Sequence, residues 1–257
     1  MARLWWPLAV LLVAASACGQ NPAAPEPPAA VTRLEPDGLV PLNDQPWVGL
    51  NTSGWSYLRR TSSKDADIVT DATAPFSPPQ VLRMIFTPSM SPDSEPGVHW
   101  IRLAGQREVY ARWWMKLSAN WKGSPAGGGK IAFLWPRDGV GVVYSNIAGS
   151  SPPHYINLAT TWEPYGYRFW EPNVATTAVV YDRWYRIDWY ARWSSAPAAD
   201  DGILRWGVDG VLNADYTNVR WPDGAAGLWQ FEFAATLQKP PIDEQYMYID
   251  HVSVSTR

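Results

Sequence analysis

From residue 107 to 117 apolar and polar side chains alternate with a period of two. Val109, Ala111, Trp113, Met115 and Leu117 fall on one face, and Glu108, Tyr110, Arg112, Trp114 and Lys116 on the other. The pattern predicts a strand with one face in a core and the other a charged, aromatic surface. Residues 184–193 repeat it, with Tyr185, Ile187, Trp189, Ala191 and Trp193 opposing Trp184, Arg186, Asp188, Tyr190 and Arg192. Further runs of strand type lie at 81–86, 97–103, 130–135, 165–170, 177–181, 203–208, 228–235 and 246–254, and no amphipathic helix of useful length interrupts them. Pro-Pro, Asp-Gly, Gly-Gly-Gly and Ser-Pro clusters separate the runs, and such residues do not continue a strand interior. Asp209-Gly210, just before Val211-Leu212, predicts a hairpin. Short strands at this density predict one all-β domain, an antiparallel two-sheet sandwich or jelly roll. No period of about 20–50 residues repeats, which argues against a propeller or solenoid.

The chain opens Met-Ala-Arg, continues through an apolar run at 4–15, and reaches Ala15-Ser16-Ala17-Cys18. This is the layout of a secretory signal ending in small residues, and the run is shorter than the roughly 20 residues a membrane-spanning helix needs. Small residues directly before a cysteine resemble the bacterial lipoprotein signal, in which the cysteine becomes the lipidated first residue. The organisation expected is a signal at 1–17, a Pro/Ala-rich tether at 18–42 and a β-domain at 43–257. The protein is then expected outside the inner membrane, periplasmic or at the cell surface, and anchored through Cys18. Gly19 after the cysteine points to the outer membrane in organisms that have one. Cys18 is the sole cysteine, so no intrachain disulfide forms. The formal net charge of −3 argues against nucleic acid as a partner.

The chain carries 17 tryptophans, and their settings divide them. Trp113, Trp135, Trp189, Trp193 and Trp206 have apolar strand neighbours and are predicted in the core. Trp114, Trp121, Trp162, Trp170, Trp184 and Trp221 lie on polar phases or beside loop residues, and are predicted to be partly exposed. Clustered exposed aromatics signal an interaction surface for a sugar or for a protein.

The succession of an Arg-Glu-Val-Tyr-Ala-Arg-Trp-Trp-Met-Lys strand, an Asn-Trp-Lys-Gly-Ser-Pro-Ala-Gly-Gly-Gly-Lys-Ile-Ala-Phe-Leu segment, a Trp-Tyr-Arg-Ile-Asp strand, an Asp-Gly-Ile-Leu-Arg-Trp-Gly-Val-Asp-Gly hairpin and a closing Tyr-Ile-Asp-His-Val-Ser-Val-Ser strand resembles concanavalin-like jelly rolls. Over residues 45–257 it is most similar to their polysaccharide lyase-like branch, with laminin-G-like modules a more distant comparison. The resemblance implies a concave sheet that binds polysaccharide, and it places 107–117 beside 184–193 in that sheet. The ligand-binding set is then Arg107, Glu108, Tyr110, Arg112, Trp114, Lys116, Arg186, Asp188, Tyr190, Arg192 and Glu232. For a lyase the resemblance implies an Arg-rich strand, a Gln-x-His strand and a Tyr/Lys-bearing strand, so Arg112, Lys130, Tyr110 and Tyr248 are the catalytic candidates. The strand that should carry Gln and His reads Lys130-Ile131-Ala132-Phe133-Leu134, without a histidine.

Other chemistries find weaker support. The paired carboxylates a glycosidase needs have no local motif here, although Glu108, Asp188 and Glu232 fall on polar strand phases. There is no Gly-x-Ser-x-Gly, and the glycines at 127–129 precede a strand rather than a helix, so they form no phosphate cradle. No cofactor is implied. Asp65, Asp67 and Asp71, and Asp200 with Asp201, are candidate oxygen ligands for a structural calcium. Three functions are thus open: polysaccharide binding, uronate lyase chemistry by β-elimination, and an accessory role in an envelope or membrane protein complex.

Overall fold

The computed structural model describes residues 34–47, 56–60, 65–76, 79–136, 141–149, 151–222 and 227–257. Cys18, the signal and the first part of the tether lie outside the described residues. Two antiparallel sheets face each other. The first runs β13 (Val211–Val219), β12 (Gly202–Val208), β11 (Trp184–Arg192), β6 (Glu108–Leu117), β15 (Gln245–Thr256), β4 (Gln80–Phe86), β3 (Ala66–Thr70), with β1 (Val40–Gln45) also paired to β15. The second runs β10 (Gly166–Trp170), β9 (Tyr155–Trp162), β8 (Val143–Ala148), β7 (Gly129–Pro136), β14 (Leu228–Thr236), β5 (Gly97–Gln106), β2 (Tyr57–Arg60).

The core is the inward phase of both sheets. Trp113, Met115, Ile187, Trp189 and Trp206 come from the first sheet and Ile101, Leu134, Leu158, Phe231 and Phe233 from the second, all essentially out of water. Burying each large apolar side chain is worth about 1.5–3 kcal/mol, while the Trp113 and Trp189 indole nitrogens are buried with no hydrogen-bond partner among the described residues. Trp206 Nε1 donates to the Ile156 carbonyl at 3.1 Å, which ties the two sheets together. The predicted hairpin is present: Asp209 and Gly210 take φ of 53° and 79° between β12 and β13, as a two-residue turn matching the strand twist requires.

Several sequence expectations need correcting. Trp121, Trp162, Trp170 and Trp221 are buried, because their rings pack into the main core. Trp221 stacks between Trp162 and Trp193, with centroids 4.9 and 4.8 Å away. Trp135 points outward instead, since a bulge between Lys130 and Phe133 shifts the phase of β7 so that Leu134 faces the core. Residues 177–181 form only a single bridge, Val179 to His154. The compact unit begins before residue 43: Leu34 is buried against Tyr110, Tyr190 and Ile203, and β1 starts at Val40.

Candidate functional site

β6 and β11 are neighbours in register, pairing Tyr110 with Tyr190, Arg112 with Asp188 and Trp114 with Arg186. The outward surface of the first sheet therefore carries most of the predicted set on contiguous positions. The side chains spend their polar groups on one another. Asp188, fully buried, accepts from Tyr110 Oη, from Arg112 Nε at 3.0 Å and from Arg186 Nε at 2.9 Å. Glu108 takes Tyr190 Oη at 3.0 Å and the Arg257 guanidinium at 2.7 Å. Lys116 is paired to Asp71 and stands over the Trp184 and Tyr248 rings at 5.2 and 5.1 Å. Leu34 covers the two tyrosines, and Glu35 accepts from Ser255 Oγ at 3.0 Å. Arg107 and Arg192 lie at the end of this sheet, donating to the carbonyls of Ser194 and Asp201.

Burial pushes the phenols of Tyr110 and Tyr190 up, the second to about 12, and their carboxylate partners Asp188 and Glu108 add to the shift. Burial also raises Tyr248. None of the three is suited to take a proton as a base near neutral pH. Three of the five candidate calcium ligands are likewise engaged: Asp67 with Arg83 at 2.7 Å, Asp71 with Lys116 and Thr73, and Asp201 with the Ser195 amide at 2.8 Å. Among the described residues no group of three or more His, Cys, Asp or Glu gathers as a metal site.

The first sheet keeps open pockets of its own, about 440 Å³ beside Lys116, Trp184 and Tyr248 and about 530 Å³ beside Arg107, Glu108 and Arg192, and a further concavity is on the other sheet. A groove of about 600 Å³ crosses the outward phase of β7, β8, β9 and β10. Of the sequence-predicted residues only Lys130 lines it, with Glu232 on the same sheet, where it accepts from Trp135 Nε1 at 2.7 Å. The floor is polar and buried: Asn146 and Asn157 are 8% and 2% exposed. Asn146 Nδ2 donates to Asn157 Oδ1 at 3.2 Å, and Asn157 Nδ2 to Glu171 Oε1 at 2.9 Å. Thr236 adds a buried hydroxyl with no hydrogen-bond partner among the described residues. Tyr144 Oη donates to Tyr167 Oη at 2.7 Å, and Lys130 Nζ lies 5.5 Å from the Tyr144 ring. Burial, with Tyr167 second, pushes the Tyr144 phenol up, so it remains a proton donor. Above this floor stand Tyr167 and Phe169, 64% and 49% exposed and in edge contact at 5.2 Å. Two exposed rings over a hydrogen-bonding floor form an amphipathic trough.

The groove residues escaped sequence reading because β8 and β9 were not among the predicted strands. Both alternate weakly: Tyr144 and Asn146 face out between Val143, Ser145 and Ile147, and a serine on the inward phase blurs the pattern. The three histidines all sit in structural settings. His99 is buried at the edge of Trp47, His154 bridges the Gly149 carbonyl and Tyr181, and His251 meets Asp44.

No family model matches the chain, and no curated protein does. Solved structures do. The alginate lyase Aly36B, in complex with an alginate trisaccharide, superposes with a TM-score of 0.63 over 83% of this chain and 97% of its own at 11% identity. The endo-β-1,4-glucuronan lyase of the fungus Trichoderma reesei gives 0.58 over 81% and 94% at 20% identity. The fold is a concanavalin-like jelly roll, a two-sheet antiparallel sandwich that these lyases share. This jelly roll is not confined to lyases: a Bacteroides ovatus GH16 protein, in complex with its product, gives a TM-score of 0.56 over 83% and 99% at 11% identity. The fold therefore fixes the scaffold, and the chemistry has to be argued from the groove.

Proposed function

We propose that the protein binds a polysaccharide along the groove of the second sheet. The carrying observation is the pairing of exposed Tyr167 and Phe169 with the buried Asn146–Asn157–Glu171 chain beneath them. Sugar rings present C–H faces to aromatic rings and hydroxyls to amides and carboxylates, and this trough offers both. The oligosaccharides held by the alginate lyase and the GH16 protein on the same scaffold support the reading. The Ala15-Ser16-Ala17-Cys18 sequence supports a lipid anchor that holds the domain at the cell envelope.

Replacing Tyr167 by Ala removes a largely exposed ring and leaves the core intact. Affinity electrophoresis against a polysaccharide panel should show wild-type retardation that weakens roughly 30-fold in the variant, the worth of about 2 kcal/mol at a binding hot spot. Equal retardation of both proteins rejects the groove as the site.

A second reading, β-elimination on a uronate, is favoured by Lys130 beside the Tyr144–Tyr167 hydroxyl pair. In that reading the proton next to the substrate carboxylate would pass to Tyr167 Oη as the glycosidic C–O bond breaks, Tyr144 Oη would protonate the departing oxygen, and Lys130 would neutralise the carboxylate. Release of unsaturated uronate product, lost in Tyr144→Phe, tests that reading directly.

A further inference from the structure

Resting on the groove reading, we infer that the glycan held there is uncharged, recognised through its hydroxyls rather than through carboxylates. The acidic and basic side chains lining the groove are Asp93, Lys130 and Glu171. Lys130 Nζ already lies 3.4 Å from Asp93, and Glu171 remains as an excess negative charge at the end of the amide chain. A polyuronate carries a carboxylate on every residue, so seating it would bring like charges together where water is partly excluded.

The hydrogen-bonding pattern points the same way. The Asn146–Asn157–Glu171 chain fixes both amides, and the Tyr155 hydroxyl adds to the hold on Glu171. An anchored carboxylate is acceptor-only. Sugar hydroxyls can donate to it, and a uronate carboxylate cannot.

No arginine lines the groove: Arg168, between Tyr167 and Phe169 on β10, stands instead over the Trp170 ring at 4.0 Å. Arg112 and Arg186 are on the first sheet and held by Asp188, and Arg205 is held by Asp215 at 3.0 and 2.9 Å. The arginines that suggested an acidic ligand are therefore outside the groove.

The test is affinity electrophoresis of the full chain and of Tyr167→Ala and Glu171→Gln. The probes are neutral polymers (a β-glucan, xylan, galactomannan) and polyuronates (alginate, glucuronan, polygalacturonate), with thermal melts to verify folding. The expected result is wild-type retardation by at least one neutral polymer, at least tenfold weaker in Tyr167→Ala, no retardation by any polyuronate, and polyuronate binding that emerges in Glu171→Gln. Wild-type retardation by a polyuronate that Tyr167→Ala abolishes would keep the groove and overturn its preference for a neutral ligand. The same holds if both classes bind. Retardation by no polymer, or retardation indifferent to Tyr167→Ala, would overturn the groove reading and the inference together.

Discussion

Asp188→Ala separates a structural role for the first sheet's polar surface from a binding role. The carboxylate is fully buried and holds Tyr110, Arg112 and Arg186 at once. Removing one partner of a buried ion pair costs about 3–5 kcal/mol, because the other charges stay behind uncompensated. Here the Arg112 and Arg186 side chains are 34% and 23% exposed and can recover some hydration, so the low end applies, about 3 kcal/mol. For a domain of this size that lowers Tm by roughly 6–12 °C, which a calorimetric melt or a urea titration resolves easily. Glycan retardation below the melting range should be unchanged, since Asp188 lies on the sheet opposite the groove. A Tm drop under about 2 °C would refute the network energetics. A folded variant that no longer binds glycan would return the binding site to the first sheet.

Burial lowers the His99 imidazole from 6.5 to about 4. The unfolded chain therefore binds its proton first, and stability present above pH 6.5 falls as pH drops towards 4, by about 3 kcal/mol from this residue. Urea titrations of wild type and His99→Gln across that window should show a steeper loss in the wild type; parallel pH slopes would contradict it. Gly207→Ala should destabilise by about 1–3 kcal/mol through overpacking, because a Cβ there would stand 2.3 Å from Leu34 Cδ1 and 2.7 Å from the Val211 carbonyl oxygen. A melt indistinguishable from wild type would show that the Leu34 segment yields freely.

Period-two alternation made β6 and β11 readable to the residue, inward and outward phases alike, because each crosses the sheet without a bulge against the other. Where the ladder slips, alternation misleads. In β15, Asp250 and Val252 oppose the adjacent Trp114 and Trp113, leaving His251 with φ of 39° as the extra residue. The inward set consequently moves from Met247 and Ile249 to Val252 and Val254. The site was harder to read than the fold. Polarity on an outward phase looks the same whether it is sealed by ion pairs, as around Asp188, or open to a ligand, as around Asn157. Only the pairing across strands, and the placement of Leu34 over one sheet, separate the two cases.

The alternation along β8 has an evolutionary consequence. Tyr144 and Asn146 share a strand with Val143 and Ile147, which face the opposite way into the core. Substitutions at the outward positions leave the packed interior nearly untouched, so specificity can drift without endangering foldability. Around Asp188 the first sheet lacks that freedom: Tyr110, Arg112, Arg186 and Tyr190 are locked to carboxylate partners or beneath Leu34, and a change at one obliges changes at several. Variation among descendants of this sequence should accordingly accumulate on one face of the sandwich and be purged from the other.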